Sequence, residues 1–184
     1  MVADEINCTG MPDPELTAAA SDDGLTDEDR RLLKKYERTF IGTFAHTLDT
    51  KGRLVIPQVF RDELGDSFCI APSYDFQSID IYPKLNWARM REDAERRASR
   101  KIKLRRYLEQ LDAFSFRDQE CDAQGRVLLP TKIRAAILGN EKEVEITGNS
   151  DHIRVVTREK GEEQFRQFMA DLPSLLDEFD DDDD

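Results

Sequence analysis

Residues 49–57 read Asp49-Thr50-Lys51-Gly52-Arg53-Leu54-Val55-Ile56-Pro57, and residues 122–130 read Asp122-Ala123-Gln124-Gly125-Arg126-Val127-Leu128-Leu129-Pro130. Asp, Gly, Arg and Pro hold the same places in both. Each stretch then runs on to an arginine (Arg61, Arg134) and a Leu-Gly pair (Leu64-Gly65, Leu138-Gly139). The nine-residue stretches lie 73 residues apart, and self-similarity at a fixed offset is the mark of duplicated modules. The fold therefore has to be read as two related halves.

The chemistry of each copy predicts its local structure. Asp-x-x-Gly is turn material: Asp49 and Asp122 can accept from their own downstream backbone, and Gly52 and Gly125 supply a positive φ. Leu54-Val55-Ile56 reads as a short buried strand. Pro57 ends the pairing and starts a short helix, PQVFRDEL, which Gly65 closes. Ahead of the first turn, Phe40, Gly42, Phe44, His46 and Leu48 fall on one side of a strand, so His46 reads as a packed residue and not a ligand. A further strand pair follows in each copy, SFCIA with SIDIYP and EVEIT with HIRVVT. A half-module of this size buries only about 60% of its unfolded surface and would be marginal alone. Two halves that interleave strands make one joint core.

Between the copies, Leu85, Trp87, Met90, Ile102, Leu104, Tyr107, Leu108 and Leu111 predict two helices with a polar break near Ser99. Trp87 reads as a core anchor. Residues 84–106 carry ten bases and three acids. Arg96, Arg97, Arg100, Arg105 and Arg106 are candidates for secondary phosphate contacts, or else a solvated helix face. EEQFRQFMADL predicts a C-terminal helix ending before Pro173, followed by a solvated, mobile DEFDDDDD end. Thr26 with Asp29 resembles a capping box. It opens a helix that continues through Leu32, Leu33, Tyr36 and Phe40. Residues 1–25 lack apolar periodicity and read as a disordered extension.

The net charge of -12 is lodged in the ends. Residues 1–39 hold ten acids and five bases, residues 171–184 eight acids and no base, and residues 40–170 hold 22 bases against 21 acids. A near-neutral middle can carry a concentrated basic face. The acidic ends either confer solubility alone or compete with nucleic acid for that face. No apolar run is long enough to span a membrane, and the acidic start lacks a signal-peptide pattern, so the expected location is cytoplasmic. Cys8, Cys69 and Cys121 are scattered, as are His46 and His152, without zinc spacing. Cys69 and Cys121 read as buried small hydrophobes. There is no GxSxG, HExxH or Walker-type segment. The reading is therefore a non-enzyme with no metal, no cofactor, no membrane contact and no small-molecule substrate.

The paired Asp-x-x-Gly-Arg-x-x-x-Pro segments, their spacing and the helical insert resemble the MraZ family of bacterial transcriptional regulators, within the AbrB-like swapped-hairpin superfamily. The resemblance covers residues 40 to about 165. It implies an α+β, mainly β fold: duplicated swapped-hairpin (AbrB-like) β-barrel halves within one chain, plus short helices and a helical insert. The expected division is an acidic extension (1–39, helical near 26–39), a first repeat (40–85), a basic insert (86–113), a second repeat (114–160) and a C-terminal helix with acidic tail (161–184). It further implies a nucleoid-associated homo-oligomeric ring that binds repeated promoter boxes in double-stranded DNA. The genes so controlled, usually by repression, are those of the division and cell-wall cluster. The DNA-contacting positions carried over are Lys51 and Arg53 in the first copy and Gln124 and Arg126 in the second. The residues leave another role open for Arg53 and Arg126, pairing with Asp49 and Asp122. They also leave a rival class open, a protein-interaction or antitoxin-like scaffold of the same fold. Two departures from the family stand out: Gln124 where the first copy has Lys51, and the long acidic leader.

Overall fold

The computed structural model describes residues 26–36 and 39–180. The chain divides between Tyr36 and Glu37, and the first unit, taken by itself, contributes one described helix, α1 (Asp27–Tyr36). Its start is the reciprocal cap expected from sequence: the Thr26 amide donates to Asp29 Oδ2 at 2.8 Å, and the Asp29 amide donates to Thr26 Oγ1 at 3.1 Å. The helix stops short of Phe40, which instead forms an isolated antiparallel bridge with Ser150. The expected disordered extension over 1–25 lies outside the described residues.

In the second unit the duplication is written into the element order. The first copy supplies β1 (Thr43–Thr47), β2 (Arg53–Val55), α2 (Gln58–Leu64), β3 (Phe68–Pro72) and β4 (Ile79–Pro83). The second supplies β5 (Phe116–Gln119), β6 (Arg126–Leu128), α5 (Thr131–Ile137), β7 (Glu143–Asn149) and β8 (His152–Thr157). Between them lie α3 (Lys84–Ala98) and α4 (Ile102–Ala113), broken at Ser99 as the polar residues there predict. The chain ends in α6 (Arg158–Asp180).

The six-stranded antiparallel sheet runs β1-β7-β8-β4-β3-β5, and β2 pairs with β6 in a separate ribbon. Each copy lends its first strand to the other: β1 pairs with β7, and β5 with β3. The order reads the same from either end once the copies are exchanged. Period-2 alternation sorts the side chains onto two faces. Phe68, Ile70, Ile79, Ile81, Val144, Ile146, Ile153 and Val155 point to one side, where Leu54 and Val127 of the ribbon, Phe60 and Leu64 of α2, and Ile133 of α5 close the main core. Cys69, Ala71 and Tyr82 point to the other, under Trp87 and Ala98 of α3 and Leu108 and Leu111 of α4. Burial pushes the Cys69 thiol up to about 12, so it stays protonated as a small apolar filler. α6 leaves β8 on this second side, where Gly161 makes room for the Glu145 carboxylate. The helix runs through Pro173 to Asp180 instead of stopping before the proline. Position 173 is solvent-exposed, so water can satisfy the backbone acceptor that the missing N–H leaves open. Residues 177–180 of the acidic end are thus helical, and residues 181–184 lie outside the described set.

A polar cluster crosses the β4–β8 seam. Asp80 pairs in register with Arg154 and is 1% exposed. Its carboxylate accepts from Arg154 Nε at 3.2 Å and from Ser78 Oγ at 2.9 Å, and His152 Nε2 lies 3.3 Å away. His152 Nδ1 sits 2.7 Å from Asp151, and the ring stacks on Tyr82 at 4.5 Å. Burial opposes charge on both groups. Hydrogen bonds and attraction outweigh it, holding Asp80 below its ordinary 3.8 and His152 above its ordinary 6.5. Asp80 thus stabilises the fold above pH 3.8 and loses that contribution as pH falls through its lowered value. His152 stabilises below pH 6.5 and loses its contribution as pH rises through its raised value. Urea unfolding of wild type against His152→Gln should show the wild-type advantage confined between these limits and shrinking above pH 6.5. Asp80→Asn, which strands Arg154, should cost about 3–5 kcal/mol.

Candidate nucleic-acid interface

The two Asp-x-x-Gly turns sit at opposite ends of the β2–β6 ribbon. In the first, Asp49 Oδ1 accepts the amides of Lys51 and Arg53, both at 2.9 Å, and Gly52 N–H closes onto the Asp49 carbonyl at 2.9 Å. In the second, Asp122 Oδ1 accepts from Gln124 at 2.9 Å and Arg126 at 3.0 Å, and Gly125 closes onto Asp122 at 2.8 Å. Gly52 and Gly125 have φ of 77° and 74°, the left-handed region where a side chain is strained. The ladder is then extended across copies: Ile56 N–H donates to the Gly125 carbonyl and Leu129 N–H to that of Gly52.

Each turn is also covered by an arginine from the other copy. Arg134 of α5 lies where a methyl on Gly52 would stand, and its Nη1 donates to the Lys51 carbonyl at 3.2 Å. Arg61 of α2 lies over Gly125 in the same way. These two were visible in the sequence only as matching positions in the repeat. Nothing local signalled that each crosses to the opposite turn.

Leu54 and Val127 face each other inward. The outer face of the ribbon therefore carries Arg53 opposite Leu128 and Val55 opposite Arg126. Both arginines are bound to their own turn: Arg53 Nε to Asp49 Oδ2 at 2.6 Å, Arg126 Nε to Asp122 Oδ2 at 2.8 Å. Arg53 Nη1 also leans toward Asp122, at 3.8 Å. Each arginine side chain keeps 27% of its surface open. They are tethered at the surface, not sealed in the interior. The backbone and guanidinium of Arg53 pull Asp49 down to about 2, and the guanidinium and backbone of Arg126 pull Asp122 to about 2. Both carboxylates are thus ionised at neutral pH. Lys51 and Gln124 are exposed at the turns, and Val55 and Leu128 are 38% and 54% exposed on the same face.

The insert arginines do not join this surface. α3 and α4 cover the other side of the sheet. Arg97 pairs with Asp93 at 2.7 Å, Arg96 lies 4.0 Å from the same carboxylate, and Arg105 donates to the Ser99 carbonyl at 3.4 Å. Arg100 and Arg106 are exposed. His46 is half-buried in β1 opposite Val144, and Trp87 packs against Tyr82. Among the described residues no cluster of His, Cys, Asp and Glu is arranged to hold a metal, and no helix is long and apolar enough to cross a membrane. The Asp80–His152–Arg154 cluster was not legible beforehand, because its members are single residues on strands far apart in the chain.

Gly52→Ala should lower thermal stability by more than Gly139→Ala. Both positions have positive φ, at a cost of about 1–2 kcal/mol for any side chain, but only Gly52 has a neighbour in the way. Adding Arg134→Ala to Gly52→Ala should recover part of the excess in a melting experiment. Equal losses at the two glycines would refute the cross-copy clasp.

A family model described as "MraZ protein, putative antitoxin-like" matches residues 39–111. The chain is 33% identical over 139 residues to the transcriptional regulator MraZ of Moorella thermoacetica, covering 74% of this chain and 93% of that one. It is also 33% identical over 144 residues to its namesake from Finegoldia magna, covering 75% and 94%. A third, from Desulforamulus reducens, is 29% identical over 147 residues, covering 74% and 99%. With the interleaved repeats, the ribbon and nearly the whole length of these relatives accounted for, the chain belongs to the MraZ family.

Proposed function

We propose that this protein is a transcriptional regulator that reads double-stranded promoter DNA in a sequence-specific way with the outer face of its β2–β6 ribbon. The observation that carries the reading is the pair of tethered, surface-open arginines, Arg53 and Arg126, on one narrow ribbon, with Lys51 and Gln124 at its ends. A two-stranded ribbon fits the major groove. There a guanidinium can take guanine O6 and N7, Gln can take adenine N6 and N7, and aliphatic groups such as Val55 and Leu128 can meet thymine methyls. The carboxylate behind each arginine fixes its direction before DNA arrives. The family resemblance supplies the rest: a homo-oligomeric ring engages several spaced boxes ahead of division and cell-wall genes and represses them. Catalysis has no part in this reading.

A second reading has one observation in its favour. Val55 and Leu128 expose apolar surface beside arginines already neutralised by Asp49 and Asp122. Such a surface also suits a protein partner, as in an antitoxin-like scaffold. Fluorescence anisotropy with box-containing and scrambled duplexes over a salt series separates the two. The DNA reader loses affinity with a slope of about -0.9 in log K against log salt per phosphate neutralised. A protein binder gives no sequence-selective signal at any salt.

Arg53→Ala should weaken binding to the box by about 1–3 kcal/mol and abolish preference over scrambled DNA. Arg126→Ala should do less, since its turn offers Gln124 where the first offers Lys51. Lys51→Ala should weaken all duplexes alike and flatten the salt slope by about one phosphate equivalent. Unchanged selectivity in Arg53→Ala would rule out the ribbon as the reader.

Each ribbon is small, so a single contact is weak and linked contacts supply an avidity gain of about 10²–10⁴. Shifting one of two adjacent boxes by half a helical turn should erase most of that gain in a gel-shift titration. Indifference to spacing would contradict the multivalent model.

A further inference from the structure

α6 carries a stripe of large apolar side chains that no other described residue covers fully. Phe165, Phe168 and Met169 are 63%, 51% and 49% exposed, and Leu175 and Leu176 are 39% and 53% exposed. Their spacing of three and four places them, with half-buried Leu172, along one side of the helix. Solvated helices rarely keep so long a stripe bare, and a contiguous exposed apolar face marks an interaction site. The flanks are acidic: residues 158–180 hold seven acids and three bases, and four more aspartates follow.

A surface of opposite character lies on the α3–α4 hairpin. At the start of α4, Lys101, Ile102, Lys103, Leu104 and Tyr107 line a shallow groove of about 620 Å³. Ile102 is 67% exposed, and Tyr107, fixed by its hydroxyl donating to the Tyr74 carbonyl at 2.6 Å, forms the groove wall. The stretch that flanks and lines the groove, residues 100–106, carries five bases and no acid. An apolar groove with a basic rim complements an apolar helix with acidic flanks.

We propose that the α6 stripe of one copy docks into the α3–α4 groove of a second copy of this chain. Charge selects this pairing over two alternatives. Two α6 stripes laid together would oppose acid to acid, and an anionic membrane favours helices with basic, not acidic, polar faces. The contact joins two different surfaces: unreciprocated, it is heterologous and propagates until a ring or filament forms, and reciprocated between two copies it closes as a dimer. It also lies on the side of the sheet away from the ribbon, which leaves every ribbon free. The inference deepens the self-assembly in the function proposed above and rests on that part of it.

The test uses the full-length chain with Cys8 and Cys121 changed to Ser. One tagged version carries Phe168→Cys and a differently tagged version carries Ile102→Cys. The mixed proteins are treated with a short bismaleimide and weighed in parallel by light scattering. The expected result is a covalent product bearing both tags, with little product from either version alone. In addition, Phe168→Asp should weaken self-association by about tenfold or more, while retaining wild-type circular dichroism and single-box DNA affinity. NaCl at about 1 M should weaken the wild-type assembly, because screening removes the charge complementarity that selects this pairing; an assembly indifferent to salt contradicts that selection. An assembly that gives only Phe168→Cys self-product, or no mixed product, overturns the docking surface and leaves self-assembly standing. A chain that scatters as a monomer at every concentration overturns both.

Discussion

Each Asp-Gly turn in this protein is covered by an arginine of the other copy. The Gly52 turn has an arginine from α5 laid across it, and the Gly125 turn has one from α2. The same exchange recurs in the strands, where β1 is paired by β7 and β5 by β3. Each repeat closes its own turn by hydrogen bonds but takes the cover over that turn, and a strand of its sheet, from the other copy. That is the structural answer to a half too small to bury an adequate core by itself. The ribbon follows from it, because β2 and β6 meet only where both turns are closed.

On the reading proposed for the ribbon, the tethering carboxylates have a consequence for how affinity is built. Asp49 and Asp122, both ionised at neutral pH, offset most of the positive field of Arg53 and Arg126. Long-range attraction to phosphate is therefore modest, and a chain of net charge -12 gains little from non-specific binding. What the tether retains is direction, because a guanidinium held at Nε presents its remaining edge in a fixed orientation. Such a surface discriminates between sequences better than it binds any one of them. Strength then has to come from the number of ribbons engaged.

The repeat made the local chemistry legible. Asp, Gly and Pro at matching places announced the turns, the short helices and the strand limits, and the polar residues around Ser99 announced the break between α3 and α4. Thr26 and Asp29 announced their cap. What could not be read was partnership. Strands of duplicated copies carry the same alternation, so pairing within a copy and pairing across copies satisfy the pattern equally. The size of each half argued for interleaved strands, but which strand crosses to which copy could not be read. Arg61 and Arg134 showed only as matching positions, because the turn that each covers belongs to the other copy, 83 residues away for Arg134 and Lys51. Pro173 was read as a stop, but an exposed helix tolerates the lost bond. The ribbon residues were named from their turns, while the carboxylate ties on both arginines were one of two alternatives that the spacing allowed.

The registers also explain why a duplicated chain differs from a dimer of identical halves. Pairing of Arg53 with Leu128 and Val55 with Arg126 puts the approximate twofold axis through Leu54 and Val127. Pairing of Ile79 with Val155 and Ile81 with Ile153 puts it through Asp80 and Arg154. In a dimer of identical chains, the residue on the axis must face its own copy. A buried aspartate there would meet another carboxylate, and one of the two would be forced to stay protonated. Fusion into one chain removes that constraint, and an arginine stands opposite the aspartate with His152 beside it. The same freedom lets the turns diverge to Lys51 and Gln124 and lets a single helical insert sit between the copies. The axis therefore organises the fold without obliging the two halves to do the same work.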